Sequence, residues 1–205
     1  RDSSTSHGLG DVYKRQVEDR ALKPFYDKIT QISESVSEHL SDTQTPQGIF
    51  AVMPRRAEQL PEPLSGQFLL LDAIQDPGNV GTLVRTADAA GIQTVVFGNG
   101  TADAFGPKVL RAMQGSQFHV RIVSAKLMPI IKALHRGGIP VYGSELNEKA
   151  KSYHSIQPSE RFALIVGNEG NGMDPVLLQN TDTNLYIPIR GKACLLYTSD
   201  AADEL

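Results

Sequence analysis

Short apolar runs recur along most of the chain: Phe68–Ile74, Thr94–Phe97, His119–Val123, Ile139–Tyr142, Phe162–Val166 and Leu185–Ile189. They are apolar nearly throughout rather than alternating, as strands are when both faces of a sheet are covered. Between them lie segments with helical spacing, at about Val80–Ala90, Lys126–Arg136 and Pro175–Asn180, and a weaker one at Pro107–Met113. Gly91 and the pair Gly137-Gly138 stand where helices should stop. The pattern predicts an α/β domain: a mostly parallel sheet with helices on both faces.

The earlier part of the chain is organised differently. A short helix is expected at Ser33–Leu40 and a short strand at Gln47–Met53. Pro54–Gly66 carries prolines among charges and suits a linker. Residues 17–53 are too short to fold unaided and read as the remnant of a larger N-terminal domain. Residues 1–16 and 194–205 fit no periodic pattern and resemble translated adapter read-through, so a non-native leader and tail are expected there. The main domain is then residues 67–193.

Composition narrows the chemistry. With 205 residues, 40% of them hydrophobic, the chain can bury a sizeable core. No apolar run approaches the ~18 residues of a membrane span, so no membrane partner is expected. Cys194 is the single cysteine and the five histidines are scattered, which removes a disulfide framework and gives no paired metal-ligand spacing. A reducing cytoplasm is the default location. The net charge of −3 leaves no overall footprint for nucleic acid, so local patches would have to bind it.

Two constellations carry chemistry. In the first, an apolar strand runs into Asp76-Pro77, a helix-start signal, followed by Asn79-x-Gly81-x-x-x-Arg85. Val80, Leu83, Val84 and Ala87 make the buried stripe, while Gly81, Arg85 and Asp88 share another face. Gly81 removes bulk one turn from Arg85, where a ligand or another backbone could approach. The plainer alternative is that Asn79 caps the helix, Gly81 serves packing and Arg85 pairs with a surface carboxylate. In the second constellation, a buried strand enters the glycine-rich loop Val166-Gly-Asn-Glu-Gly-Asn-Gly172. There is no Gly-Lys-Ser/Thr and no G-x-G-x-x-G, so neither a triphosphate loop nor a dinucleotide loop is present. Alone, this is equally a tight strand–helix turn with Asn168 and Glu169 in solvent.

In this order and with this separation, followed by Ile187-Pro-Ile189, the two blocks resemble the SpoU (TrmH-type) family of RNA ribose 2′-O-methyltransferases, of the SPOUT superfamily. The resemblance covers about residues 66–193, and Asp42–Ile49 is similar to the end of the RNA-binding domain that precedes it in many members. It implies a C-terminal trefoil knot, S-adenosylmethionine as cofactor, ribosomal or transfer RNA as substrate, and a homodimer. It further implies that Gly167, Asn168, Ile187 and Leu196 hold the cofactor, and that Arg85, supported by Asn79 and Glu169, faces the target ribose. Lys108 and Arg111 become RNA-phosphate contacts, whose plainer alternative is a solvated helix face. Ala112 stands where many members have a small polar residue. The family's arginine is described as the base; a guanidinium keeps its proton below about pH 12, so a phosphate grip and alkoxide clamp is the preferred role. The sequence departs from the family after Ala193: Leu195 and Tyr197 replace a Ser and an Asn, and the knot-closing helix is missing or a stub. An incomplete knot and weak or absent cofactor binding are therefore expected. The competing readings are an RNA-binding relative without catalysis and, against the absent phosphate-loop lysine, an unrelated nucleotide-binding module.

Overall fold

The computed structural model describes residues 23–41, 43, 48–54, 59–145, 147 and 149–188. Two units, residues 1–53 and 54–205, are distinguished. In the first, a 3₁₀ turn at Lys23–Lys28 precedes helix α1, Glu34–Leu40. Ser33 caps α1, its hydroxyl accepting from Val36 N at 3.4 Å. The strand expected over 47–53 does not form in its described residues, 48–53. Ile49, Phe50, Val52 and Met53 are exposed there. An apolar run becomes a strand only where a neighbour takes up its backbone groups.

In the second unit the strands are β1 (Gln67–Leu71), β2 (Thr94–Phe97), β3 (Arg121–Ser124), β4 (Val141–Ser144), β5 (Lys151–Ser152), β6 (Phe162–Val166) and β7 (Thr183–Tyr186). The helices are α2 (Pro77–Ala89), α3 (Pro107–Met113), α4 (Leu127–Arg136) and α5 (Pro175–Leu178). The strands form one sheet in the order β3-β2-β1-β6-β4-β7-β5, and every pairing among them is parallel. Leu71 is in register with Phe97 on one side and Val166 on the other. Alternate residues of β1 enter different cores: Phe68 and Leu70 pack with Ile131 and Leu134 of α4 and Leu177 of α5. Leu69 and Leu71 pack with Val80 and Val84 of α2 and Val109 and Met113 of α3. The sheet is thus covered on both faces, as its unbroken apolar strands predict.

Several strands end away from their expected limits, each for a local reason. The first apolar run stops at Leu71 because Ala73 adopts φ +54°, outside the extended region. Pro140 has no N–H to donate, so β4 begins after it, while its carbonyl accepts from Ala163 N at 2.9 Å. His119 belongs to the turn before β3 rather than to the strand and bonds Asp88 at 2.9 Å. The two-residue edge strand β5 carries no periodic signal. Part of the expected linker is packed: Leu60 and Leu64 lie against the α4–α5 core. The knot, Leu196, and the leader and tail fall outside the described residues.

The topology decides where a ligand can sit. The chain steps outward from β1 to β2 and β3, then crosses back to β4, and β6 inserts between β1 and β4. The carboxyl ends of β1 and β6 therefore flank the point where the winding direction reverses. In open parallel sheets that is where a crevice for ligands opens.

Candidate active site

Both sequence constellations arrive at this reversal. Residues Asp72–Asp76 leave β1 and start α2; Gly167–Asp174 leave β6 and start α5. Asp76 caps α2, its Oδ1 accepting from Asn79 N at 2.7 Å. With Asp76 at the cap, the side chain of Asn79 is released from that duty. Its Nδ2 donates instead to Glu169 Oε1 at 3.0 Å, across 90 residues of sequence. Gln75 N donates to the other carboxylate oxygen, Glu169 Oε2, at 3.4 Å. The half-buried Glu169 is therefore held by two neutral donors and has no ion-pair partner among the described residues.

Asn168 is the staple of the glycine-rich loop. It is only 9% exposed. Its Nδ2 donates to Ala73 O at 2.8 Å, and its Oδ1 accepts from Gly170 N and Asn171 N at 2.9 Å each. Backbone bonds between Asn168 and Gly172, 3.0 and 3.1 Å, close the loop. A Cβ on Gly167 would lie 2.6 Å from the carbonyl carbon of Gly172, so glycine is needed there for the loop to fold back on itself. Neither Asn168 nor Glu169 is merely solvated.

Beneath the loop sits Asp72, a residue the sequence reading missed although it stood as a lone carboxylate within an apolar run. It is 8% exposed, and its Oδ2 accepts from Asp174 N at 2.7 Å. Burial pushes its carboxyl above the ordinary 3.8; the Asp174 N–H opposes this and the Asp174 charge adds to it. The left-handed Ala73 next to it is an uncommon conformation for a residue with a side chain, and it is fixed by the Asn168 bond to its carbonyl.

The helix residues sort differently. A Cβ on Gly81 would lie 2.9 Å from Cα of Ala112. The close approach at Gly81 is therefore that of α3 against α2, with Ala112 filling the space beside it. This also explains a small residue at Ala112. Arg85 is exposed on α2, about 9 Å along the axis from Asn79 at ~1.5 Å per residue. It makes no hydrogen bond or ion pair among the described residues, so within one chain it is not joined to Asn79 and Glu169. Lys108 and Arg111 are exposed one turn apart on α3. Ile187 follows β7 and is 45% exposed.

The donor set suits a cationic, partly apolar cofactor. Carboxylates of Asp72, Glu169 and Asp174 surround the loop without an ion pair among the described residues, and Glu145 Oε2 lies 3.4 Å from the position of a Cβ on Gly172. Such a field favours a sulfonium over a phosphate group.

Fold and site together define a doubly wound α/β ligand-binding domain whose glycine-rich loop sits at the sheet reversal. The sequence pattern of the SpoU rRNA Methylase family matches residues 66–202. Over 171 residues the chain is 48% identical to the 23S rRNA (guanosine(2553)-2′-O)-methyltransferase RlmP of Bacillus subtilis, covering 83% of this chain and 68% of RlmP. A TrmH-family structure from Porphyromonas gingivalis matches with TM-score 0.66 and 33% identity, over 84% of this chain and 69% of that one. The AdoMet-bound rRNA methyltransferase from Sinorhizobium meliloti matches with TM-score 0.67 and 28% identity, over 83% and 66%. The chain belongs to the SpoU rRNA methylase family. It spans about two thirds of the length of each of these relatives.

Proposed function

We propose that the chain is the catalytic portion of an S-adenosylmethionine-dependent methyltransferase that modifies a ribose 2′-hydroxyl of ribosomal RNA in the cytoplasm, working as a homodimer. The observation that carries this is the Asn79–Glu169 bond, which ties both motifs to one point of the carboxyl edge. The 48% identity to RlmP points to ribosomal rather than transfer RNA. The homodimer is supported by the apolar surface near the site, with Val176 59% and Ile187 45% exposed.

S-adenosylmethionine, when bound, supplies the methyl group on a sulfonium. The backbone of Gly167–Gly172 and the segment at Ile187 would hold it, with Glu169 and its neighbours balancing its positive charge. Asn168 acts through the loop, since its side-chain amide is already committed. Arg85, exposed and unpaired among the described residues, binds the RNA phosphate beside the target ribose and stabilises the alkoxide that forms as the 2′-hydroxyl loses its proton. Guanidinium does not accept that proton; the phosphate or water does. Lys108 and Arg111 bind further phosphates, giving salt-dependent affinity. Because Arg85 is not joined to Asn79 and Glu169 within one chain, the RNA or the second copy bridges them.

The test is transfer of labelled methyl groups to ribosomal RNA. Arg85→Ala is expected to slow transfer about 100- to 1,000-fold, the range for loss of a charge-stabilising donor. Arg85→Lys keeps the charge, loses the fork, and stays strongly impaired. Near-normal turnover by Arg85→Lys would contradict the clamp, and RNA binding without any transfer by the unsubstituted chain would contradict catalysis.

A further inference from the structure

A second concavity lies next to the loops just described. It is a hollow of about 300 Å³ at the carboxyl ends of β2 and β3, lined in part by Asn99, Thr101, Asp103 and Ser124. The loop that lines it is tied to Leu71–Ile74, the segment that leads from β1 into the site. Gly98 N and Thr101 Oγ1 both donate to Leu71 O, at 2.9 and 3.0 Å, and Ala102 N donates to Ile74 O at 2.9 Å. A Cβ on Gly100 would lie 3.1 Å from that of Ala73, the residue whose carbonyl Asn168 holds from the other side. Adjacent strands are ~4.8 Å apart, so the hollow opens about one strand's width from the reversal.

Apart from Thr101, the polar side chains of the hollow keep hydrogen-bonding capacity that the fold does not use. Asp103 Oδ1 accepts from Phe105 N at 3.1 Å, which fixes the carboxylate. Its second oxygen, the Asn99 amide and the Ser124 hydroxyl bond no described residue. No lysine or arginine lines the hollow, so it is unsuited to phosphate. Its size, at the small end of ligand pockets, fits a flat heterocycle. A fixed carboxylate further selects among the bases. Guanine alone presents two adjacent donor groups on its Watson–Crick edge, N1–H and the 2-amino group. The amino group of adenine or cytosine adjoins a ring-nitrogen acceptor, and N3–H of uracil lies between two carbonyls, acceptors that the carboxylate repels.

We propose that this hollow holds a guanine base of the RNA presented to the site, with Asp103 accepting from its N1–H and 2-amino group and Asn99 or Ser124 donating to its O6. This rests on the RNA-methylation reading and assigns its base selectivity to the loop after β2. Single-stranded bases are recognised in this way, on their Watson–Crick edges.

The ¹⁵N-labelled chain, titrated with millimolar GMP, IMP, AMP and UMP and followed by amide shifts, tests it. GMP is expected to move Gly98–Ala104 and Ser124. IMP, lacking the 2-amino group, should bind more weakly, and AMP and UMP roughly tenfold to a hundredfold more weakly, the range for a lost bidentate contact. Asp103→Asn should abolish the preference while its melting curve stays unchanged. Equal responses to all four nucleotides, a response centred on Gly167–Gly172, no response to GMP, or an unaltered preference in Asp103→Asn would each overturn the assignment. Methyl transfer to ribosomal RNA, measured on the same samples, separates the two readings. Transfer without guanine preference removes the base site alone; guanine preference at Gly98–Ala104 without transfer to any RNA removes the methylation reading alone.

Discussion

Two stretches of the same sheet edge use their polar residues in opposite ways. Where β1 and β6 end, side chains are spent on one another: Asn168 makes three hydrogen bonds to backbone, Asn79 and Glu169 join, and Asp72 receives Asp174 N. Where β2 and β3 end, Asn99, Asp103 and Ser124 leave most of their capacity to whatever enters. The first stretch is a clasp that builds backbone geometry; the second is an open surface that can read a ligand. A polar residue at a strand's carboxyl end is thus no guide to ligand contact until its bonds are counted. Groups already satisfied position others, and groups left over are the ones that recognise.

Breaking the clasp should therefore cost stability, and altering the hollow should not. The largest effect is expected for Asn168→Ala, which removes three hydrogen bonds from a residue 9% exposed and should lower unfolding free energy by about 3 kcal/mol, at ~1 kcal/mol per bond. Chemical denaturation of the two proteins measures this; a loss under ~0.5 kcal/mol would mean that the loop does not depend on its staple. Asp72 gives a smaller effect with a sign. Its carboxyl is raised in the folded protein, so the folded state holds the proton more tightly than the unfolded chain. Its contribution favours folding at low pH and is lost as pH rises from the ordinary 3.8 through the raised value. Asp72→Asn keeps an acceptor for Asp174 N without the buried charge, and should flatten this part of the pH–stability profile while holding or raising the melting temperature at neutral pH. A fall at neutral pH would contradict that reading. Smallest of all, Asp103→Asn should leave stability within ~0.5 kcal/mol, as for an exposed substitution.

The sheet was legible in the sequence because β1, β2 and β6 lie between two covering layers and stay apolar nearly throughout, and a helix start was legible from Asp76-Pro77. Strand limits were not, because they depend on single backbone events: the left-handed Ala73 and the missing N–H of Pro140 leave no mark on hydrophobic spacing. The Gln47–Met53 strand failed for a related reason, since apolar content does not provide a pairing partner. At the site, the motifs led to Asn79, Asn168 and Glu169, but their division of labour was hidden. Asp76 rather than Asn79 caps α2 because its Oδ1 reaches the Asn79 N–H, and Gly81 serves α3 because Ala112 lies against it. Asp72 was visible as a polar interruption, yet its partner is 102 residues away. The hollow could not be foreseen, since it depends on how the loop after β2 is tied to Leu71 and Ile74.

The most direct test of this division is to locate S-adenosylmethionine itself. With the cofactor at millimolar concentration, amide shifts should move at Gly167–Gly172 and at Ile187 and leave Gly98–Ala104 in place. Movement confined to Gly98–Ala104 and Ser124 would put the methyl donor in the hollow and contradict the account.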